Sequence, residues 1–276
     1  MNWREFQARQ RMVELGPRFV SYIDEGEGAP VVLLHGIPTW GFLFHDLISA
    51  LSPRRRILVP DMPGFGFSDK RDNFDRSIGR QAEALIAWLD VLGIPKVDLV
   101  AHDIGGGVAL RLATLHPQRI GRLCIMNGVC YDSWPIEMML QFGLPEVRRK
   151  MSASQATAML KKALKAGFGS SPKDEILDGL LAPYTTEVGK TSLIRNAAAL
   201  NANLTTEITA LLPRISSETL LLWGEDDTFQ PVKFGKRLAV DIPQARWMPI
   251  AEAKHFVMID APERVARELQ EFLYRE

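Results

Sequence analysis

The chain has 276 residues, 46% apolar and 24% charged, and its 33 Lys and Arg balance 33 Asp and Glu. That length suits one large core carrying an insertion, and the balanced charge gives no overall field to favour nucleic acid or an anionic membrane. Two cysteines with no CxxC pair, and no HExxH, carry no metal signature, and no apolar run approaches the roughly 20 residues of a membrane span.

The opening "MNWREFQARQRMVEL" is charged throughout and lacks a central apolar block, so it does not read as a secretory signal and a cytoplasmic protein is expected. "VVLLHG" (31–36) and "RILVPD" (56–61) are short, nearly continuous apolar runs that suit strands buried on both faces. The cluster Arg54, Arg55 and Arg56 between them reads as a solvated loop. "IGRQAEALIAWLDVLG" (78–93) has apolar residues at helical spacing and stops at Gly93. A third run, "KVDLVAHD" (96–103), passes into the helix "GGGVALRLATLH", which His116 closes before Pro117. "RLCIMNG" (122–128) follows, with Cys124 and Cys130 expected as free buried thiols.

The rhythm then breaks. Residues 133–212 are helical and strand-poor, punctuated by Gly, Pro and Ser. "TLLLWGEDD" (219–227) and "ARWMPI" (245–250) resume the apolar runs. Such alternation predicts an α/β fold with a mainly parallel central sheet flanked by helices. The expected division is a core of 1–132 and 213–276 with an inserted helical cap over 133–212.

In open α/β sheets reactive groups collect where strands end. The chemically capable ends here are His35 with Gly36, Asp103 with the glycines, the pair Asp226 and Asp227, and, after the last run, His255. At "AHDIG" (101–105) a strand turns directly into a helix, the frame of a nucleophile elbow written G-x-S-x-G, with aspartate where serine would stand. An N-cap for the helix is the other role open to Asp103.

"HGIPTW" (35–40), "PDMPGFGFSDK" (60–70), "HDIGG" (102–106), "WGEDDTFQP" (223–231) and "KHFVMIDAPE" (254–263) occur in that order. Together they resemble the α/β-hydrolase superfamily, in the aspartate-nucleophile branch that includes haloalkane dehalogenases and epoxide hydrolases. The resemblance spans nearly the whole chain and is weakest in 133–212. It implies an Asp103 nucleophile, which needs no base because a carboxylate with a pKa near ~4 is already anionic. An ester formed at Asp103 then requires an activated water, and His255 is the implied base. Family-like spacing of Gly, Asp and Pro selects Asp227 as the acid that orients His255, with Asp226 as the alternative. Some relatives carry this acid after the preceding strand, where this chain has Asn127. By elbow geometry the oxyanion hole is the backbone N–H of Ile37 and of Ile104. His35 and His102 are expected to be structural.

The leaving group stays open between two readings. Haloalkane dehalogenases often carry Trp after the nucleophile and Asn after "HG", where this chain has Ile104 and Ile37. Epoxide hydrolases use paired cap tyrosines, and only Tyr131 and Tyr184 are near. Tyr184 in "LLAPYTTEVG" resembles a dehalogenase segment, and Trp40, Trp134, Tyr131 and Tyr184 are the candidate leaving-group or pocket residues. Met138, Met139, Phe142, Met159 and Leu160 suggest an apolar pocket. The implied partners are a small hydrophobic substrate and water, with no cofactor. Ester or carbon–carbon hydrolysis, and ligand binding without catalysis, are the further alternatives.

Overall fold

The computed structural model describes residues 1–274, so that Arg275 and Glu276, the end of the expected 213–276 segment, lie outside the described residues. Its eight strands are β1 (Arg11–Leu15), β2 (Arg18–Glu25), β3 (Pro30–Leu34), β4 (Arg56–Pro60), β5 (Val97–His102), β6 (Ile120–Met126), β7 (Thr219–Gly224) and β8 (Ala245–Ile250). They form one sheet in the order β1-β2-β4-β3-β5-β6-β7-β8. Pairing is parallel from β4 through β8 and antiparallel where β2 meets β1 and β4. The six expected runs all lie in the parallel part.

β1 and β2 are additions that the apolar-run reading passed over. They are joined at Gly16, whose φ of +60° suits a tight turn. Their burial is partial and uneven, which is why they lack a continuous apolar run. The arginine cluster is also different from expectation. Arg56 lies in β4 and grips Asp24 of β2 through Nε and Nη2, both at 2.9 Å, while Arg55 is largely buried against Asp98 at 3.2 Å. Cys124 and Cys130 are both buried and free.

β3 pairs with β4 on one side and β5 on the other. Successive connections therefore leave in opposite directions, and a crevice opens at the carboxyl ends of β3 and β5. The helix Ile104–Leu115 starts immediately after β5, so it must pack hard against neighbouring backbone. A Cβ on Gly105 would sit 2.5 Å from the His35 carbonyl oxygen, and one on Gly106 would sit 2.7 Å from the Gly128 Cα. Bare glycine is what lets this helix approach both β3 and β6.

Between β6 and β7 every regular element among the described residues is helical, from Glu137–Phe142 to Thr209–Arg214. Arg76 ties this segment to the sheet body, donating to Ser192 Oγ at 2.8 Å and Asn196 Oδ1 at 2.7 Å. Gly64 O accepts from the same two side chains, each at 2.8 Å.

Gly105→Ala is expected to lose about 2–3 kcal/mol of stability in urea unfolding, because the clash is with backbone oxygens that cannot turn away. Gly79→Ala, whose Cβ would have no neighbour closer than 3.7 Å, is expected to be neutral or slightly stabilising in the same assay.

Candidate active site

Each of the parallel strands β3, β5, β6, β7 and β8 delivers one residue to the crevice. Asp103 follows β5 at φ 52° and ψ −125°, a backbone region costly for a residue with a side chain. Its side chain makes no capping bond to the helix it precedes. Instead Asp103 Oδ1 accepts the Ile37 N–H at 2.7 Å, across from the end of β3. Its other oxygen, Oδ2, lies 3.7 Å from His255 Nε2.

On its far side His255 Nδ1 donates to Asp227 Oδ2 at 2.9 Å. That same oxygen accepts Asn127 Nδ2 at 2.6 Å, while Asp227 Oδ1 accepts the N–H groups of Phe229 at 2.7 Å and Gln230 at 3.0 Å. Asp226 is exposed and makes no contact of this kind. Asn127 at the end of β6 therefore contributes a donor at the place where some relatives have the acid. The role was not readable from sequence, since β6 and β7 had first to be placed side by side.

Two further histidines hold backbone. His35 Nδ1 donates to Gly36 O at 2.9 Å and its Nε2 accepts the Met62 N–H at 3.0 Å, with burial pulling it down to about 4. His102 Nε2 donates to the carbonyl of His255 at 3.0 Å, and burial keeps that imidazole neutral.

Charge is balanced across the three central side chains. Burial pushes the Asp103 carboxyl up, against the pull of His255 and of the N–H groups of Ile104 and Ile37. Burial draws the His255 imidazole down, but the Asp227 carboxylate, the hydrogen bond to it and the Asp103 carboxylate outweigh burial and hold it above its usual range.

Asp103 and His255 face a small cavity, walled mainly by apolar side chains that include Val129, Met138, Met139, Leu164, Leu200 and Phe229. The side chains of Ile37 and Ile104 are part of that wall, besides Trp134 and Gln230. Met159, Leu160 and Phe142 instead pack into or against the core.

Of the remaining candidates, Trp40, Tyr131 and Tyr184 are not among the residues that line the cavity. Trp40 is fully buried and its indole N–H donates to Gly179 O at 2.9 Å. The Tyr184 hydroxyl donates to Thr39 O at 3.1 Å and accepts the Gly66 N–H at 3.3 Å. Both residues fasten the helices between β6 and β7 to the loops after β3 and β4. The Tyr131 hydroxyl turns away to Asp241 Oδ2 at 2.6 Å. Trp134 does line the cavity, yet its N–H is spent on Thr205 Oγ1 at 2.7 Å. The aromatic residues offered by sequence thus serve as joints, because a buried ring with one polar tip is satisfied by any nearby carbonyl or hydroxyl.

The model of the alpha/beta hydrolase fold family matches residues 29–262. The chain belongs to that family. This α/β hydrolase is 29% identical to cis-3-alkyl-4-alkyloxetan-2-one decarboxylase of Shewanella oneidensis, over 91% of its own length and 84% of the relative's. It is also 29% identical to haloalkane dehalogenase 2 of Mycobacterium tuberculosis, over 90% and 88% of the two chains. An alpha/beta hydrolase fold protein from Burkholderia ambifaria superposes with a TM-score of 0.86 at 26% identity, covering 96% of this chain and all of that one.

The α/β hydrolase site makes a prediction that needs no substrate. In a histidine-resolved NMR titration the His255 imidazole is expected to titrate above the ordinary value near ~6.5. Asp227→Asn removes the largest influence raising it, so the midpoint should move to lower pH. A midpoint unchanged by the substitution would contradict the pairing drawn here.

Proposed function

We propose that this α/β hydrolase cleaves a small apolar substrate through a covalent ester on Asp103, in the manner expected of a haloalkane dehalogenase. The observation that carries the reading is the place of the Asp103 carboxylate. Oδ1 already occupies the Ile37 N–H, where a serine hydrolase would hold the carbonyl oxygen of its substrate, and Oδ2 faces His255 and the cavity. A hole filled by the nucleophile's own oxygen suits a substrate attacked at saturated carbon.

In the first step an Oδ2 lone pair forms the new C–O bond as the carbon–halogen bond breaks, and the halide departs with the electron pair. Esterification removes the Asp103 charge, one of the influences that raises His255. The imidazole thereby shifts toward the neutral form when a base is needed. Water then adds to Cγ, His255 Nε2 takes one of its protons, and Oδ1 becomes the oxyanion held by the N–H groups of Ile37 and Ile104. Collapse releases the alkoxide, which recovers the proton from His255. The acid left at Asp103 loses the other proton to solvent, so R–X and water give R–OH, a proton and X⁻. Asp227 stabilises the imidazolium throughout.

A halide leaves as a stable anion and needs no acid. An opening epoxide does need one, and the hydroxyls of Tyr131 and Tyr184 are both committed away from the cavity. The relative named as a haloalkane dehalogenase supports the same preference. In this reading residues 133–212 act as the cap that closes the cavity and excludes bulk water.

His255→Gln should accumulate the ester, seen by intact-protein mass spectrometry as one hexyl group replacing a proton after incubation with 1-bromohexane. Asp103→Asn should show no adduct. An adduct from 1,2-epoxyhexane alone would transfer the assignment to epoxide opening, and none from either reagent would overturn the Asp103 nucleophile.

A further inference from the structure

One polar side chain in the cavity has no assigned work. Gln230 lines the cavity and is only 2% exposed, and its Oε1 is buried without a hydrogen-bond partner. Its backbone, by contrast, is fixed at both ends. The N–H donates to Asp227 Oδ1 at 3.0 Å, and the carbonyl accepts Trp223 Nε1 at 2.8 Å. The amide is therefore carried on a rigid loop, beside Phe229, whose ring meets the His255 imidazole edge-on with centroids 5.3 Å apart.

A buried amide left unsatisfied destabilises the fold. The oxygen and nitrogen of an amide exchange places by a half-turn about the last side-chain bond, so the unpartnered position can hold Nε2–H in place of Oε1, and there a ligand acceptor in the cavity would pair with it. The other donors at the cavity are committed: Trp134 Nε1 to Thr205, the Ile37 N–H to Asp103, and His255 to its proton transfer. The side chains of Ile37 and Ile104 present only hydrocarbon. Among the described residues lining the cavity, Gln230 is the uncommitted side-chain donor.

Resting on the displacement mechanism above, we infer that the Gln230 amide holds the departing anion, donating an Nε2–H to the halogen as the carbon–halogen bond breaks. Before reaction the cavity contains the Asp103 carboxylate, so the amide turns its N–H end inward. As Oδ2 bonds to carbon, the negative charge moves to the leaving atom. A neutral donor follows that charge without the desolvation penalty of a buried cation. This arrangement replaces the donors absent from positions 37 and 104, and it selects substrates whose leaving atom is a compact hydrogen-bond acceptor.

The test follows ester formation in the His255→Gln background, with and without Gln230→Met, using 1-chlorohexane, 1-bromohexane and 1-iodohexane. Methionine matches glutamine in length and keeps the wall of the cavity while removing the donor. Alkylation by the chloride should slow by about ten- to a hundredfold, the loss expected for a hydrogen bond to a charged group. The effect should shrink through bromide to iodide, as charge density on the anion falls. The thermal midpoint should stay level or rise, because an unsatisfied amide has been removed. Unchanged rates, equal slowing of all three reagents, or a marked fall in thermal midpoint would each assign Gln230 to packing and overturn the inference while leaving the Asp103 mechanism intact. Failure of the His255→Gln parent to form an adduct with any of the three would remove the mechanism itself, and the Gln230 role with it.

Discussion

Asp103 can reach both Ile37 and His255 because its backbone is held at a positive φ on the turn between β5 and the following helix. Such a conformation costs about 1–3 kcal/mol and persists only where the surroundings over-determine it. The surroundings do so here through close backbone packing. The Gly105 and Gly106 positions leave no room for a Cβ, so the helix cannot back away from β3 and β6, and the apex cannot relax. Two hydrogen bonds to the Asp103 carbonyl, from Gly106 and Val129 at 2.9 Å each, pin the peptide from the other side.

From that fixed point the polar groups form one chain. Ile37 holds one oxygen of Asp103, His255 faces the other, and Asp227 accepts from His255. Asp227 is itself saturated by Asn127, Phe229 and Gln230, so a charge buried almost completely is compensated by four donors. A carboxylate so fully bonded cannot swing to another partner, and the imidazole inherits its orientation. The histidine loop is anchored as well, since the N–H groups of His255 and Phe256 both donate to Gly167 O in the helical segment between β6 and β7, at 2.9 and 3.2 Å. The helical segment thus contributes both to the walls of the cavity and to the placing of His255.

The parallel strands were legible because burial on both faces forces a continuous apolar run, and the elbow was legible because it requires small residues around one apex. β1 and β2 were not, since partial burial leaves a mixed pattern. The aromatic residues divide, since Trp134 lines the cavity and Trp40, Tyr131 and Tyr184 do not. Trp40, Trp134, Tyr131 and Tyr184 each have a polar tip, and sequence reveals the tip without revealing what it meets. In the fold the tips of Trp40 and Tyr184 meet Gly179 and Thr39, residues more than a hundred positions away. Gln230 has no local signature, because a glutamine three residues beyond an aspartate is unexceptional until its backbone is fixed and its side-chain oxygen is left without a partner.

The sequence by itself determined the α/β architecture and the order of strand-ending residues, through the periodicity of burial and the glycines that a sharp strand-to-helix turn demands. It also brought Asp103, Asp227 and His255 forward, because few chemical groups stand at strand ends. Only the tertiary structure decided that Asp227 rather than Asp226 meets His255, that Asn127 joins them, and that the cavity is walled by Ile37 and Ile104 with Gln230 as its unpaired amide. Those outcomes depend on the lateral register of β6, β7 and β8 and on which face each loop presents. Contacts between segments distant in the chain leave no local pattern from which to read them.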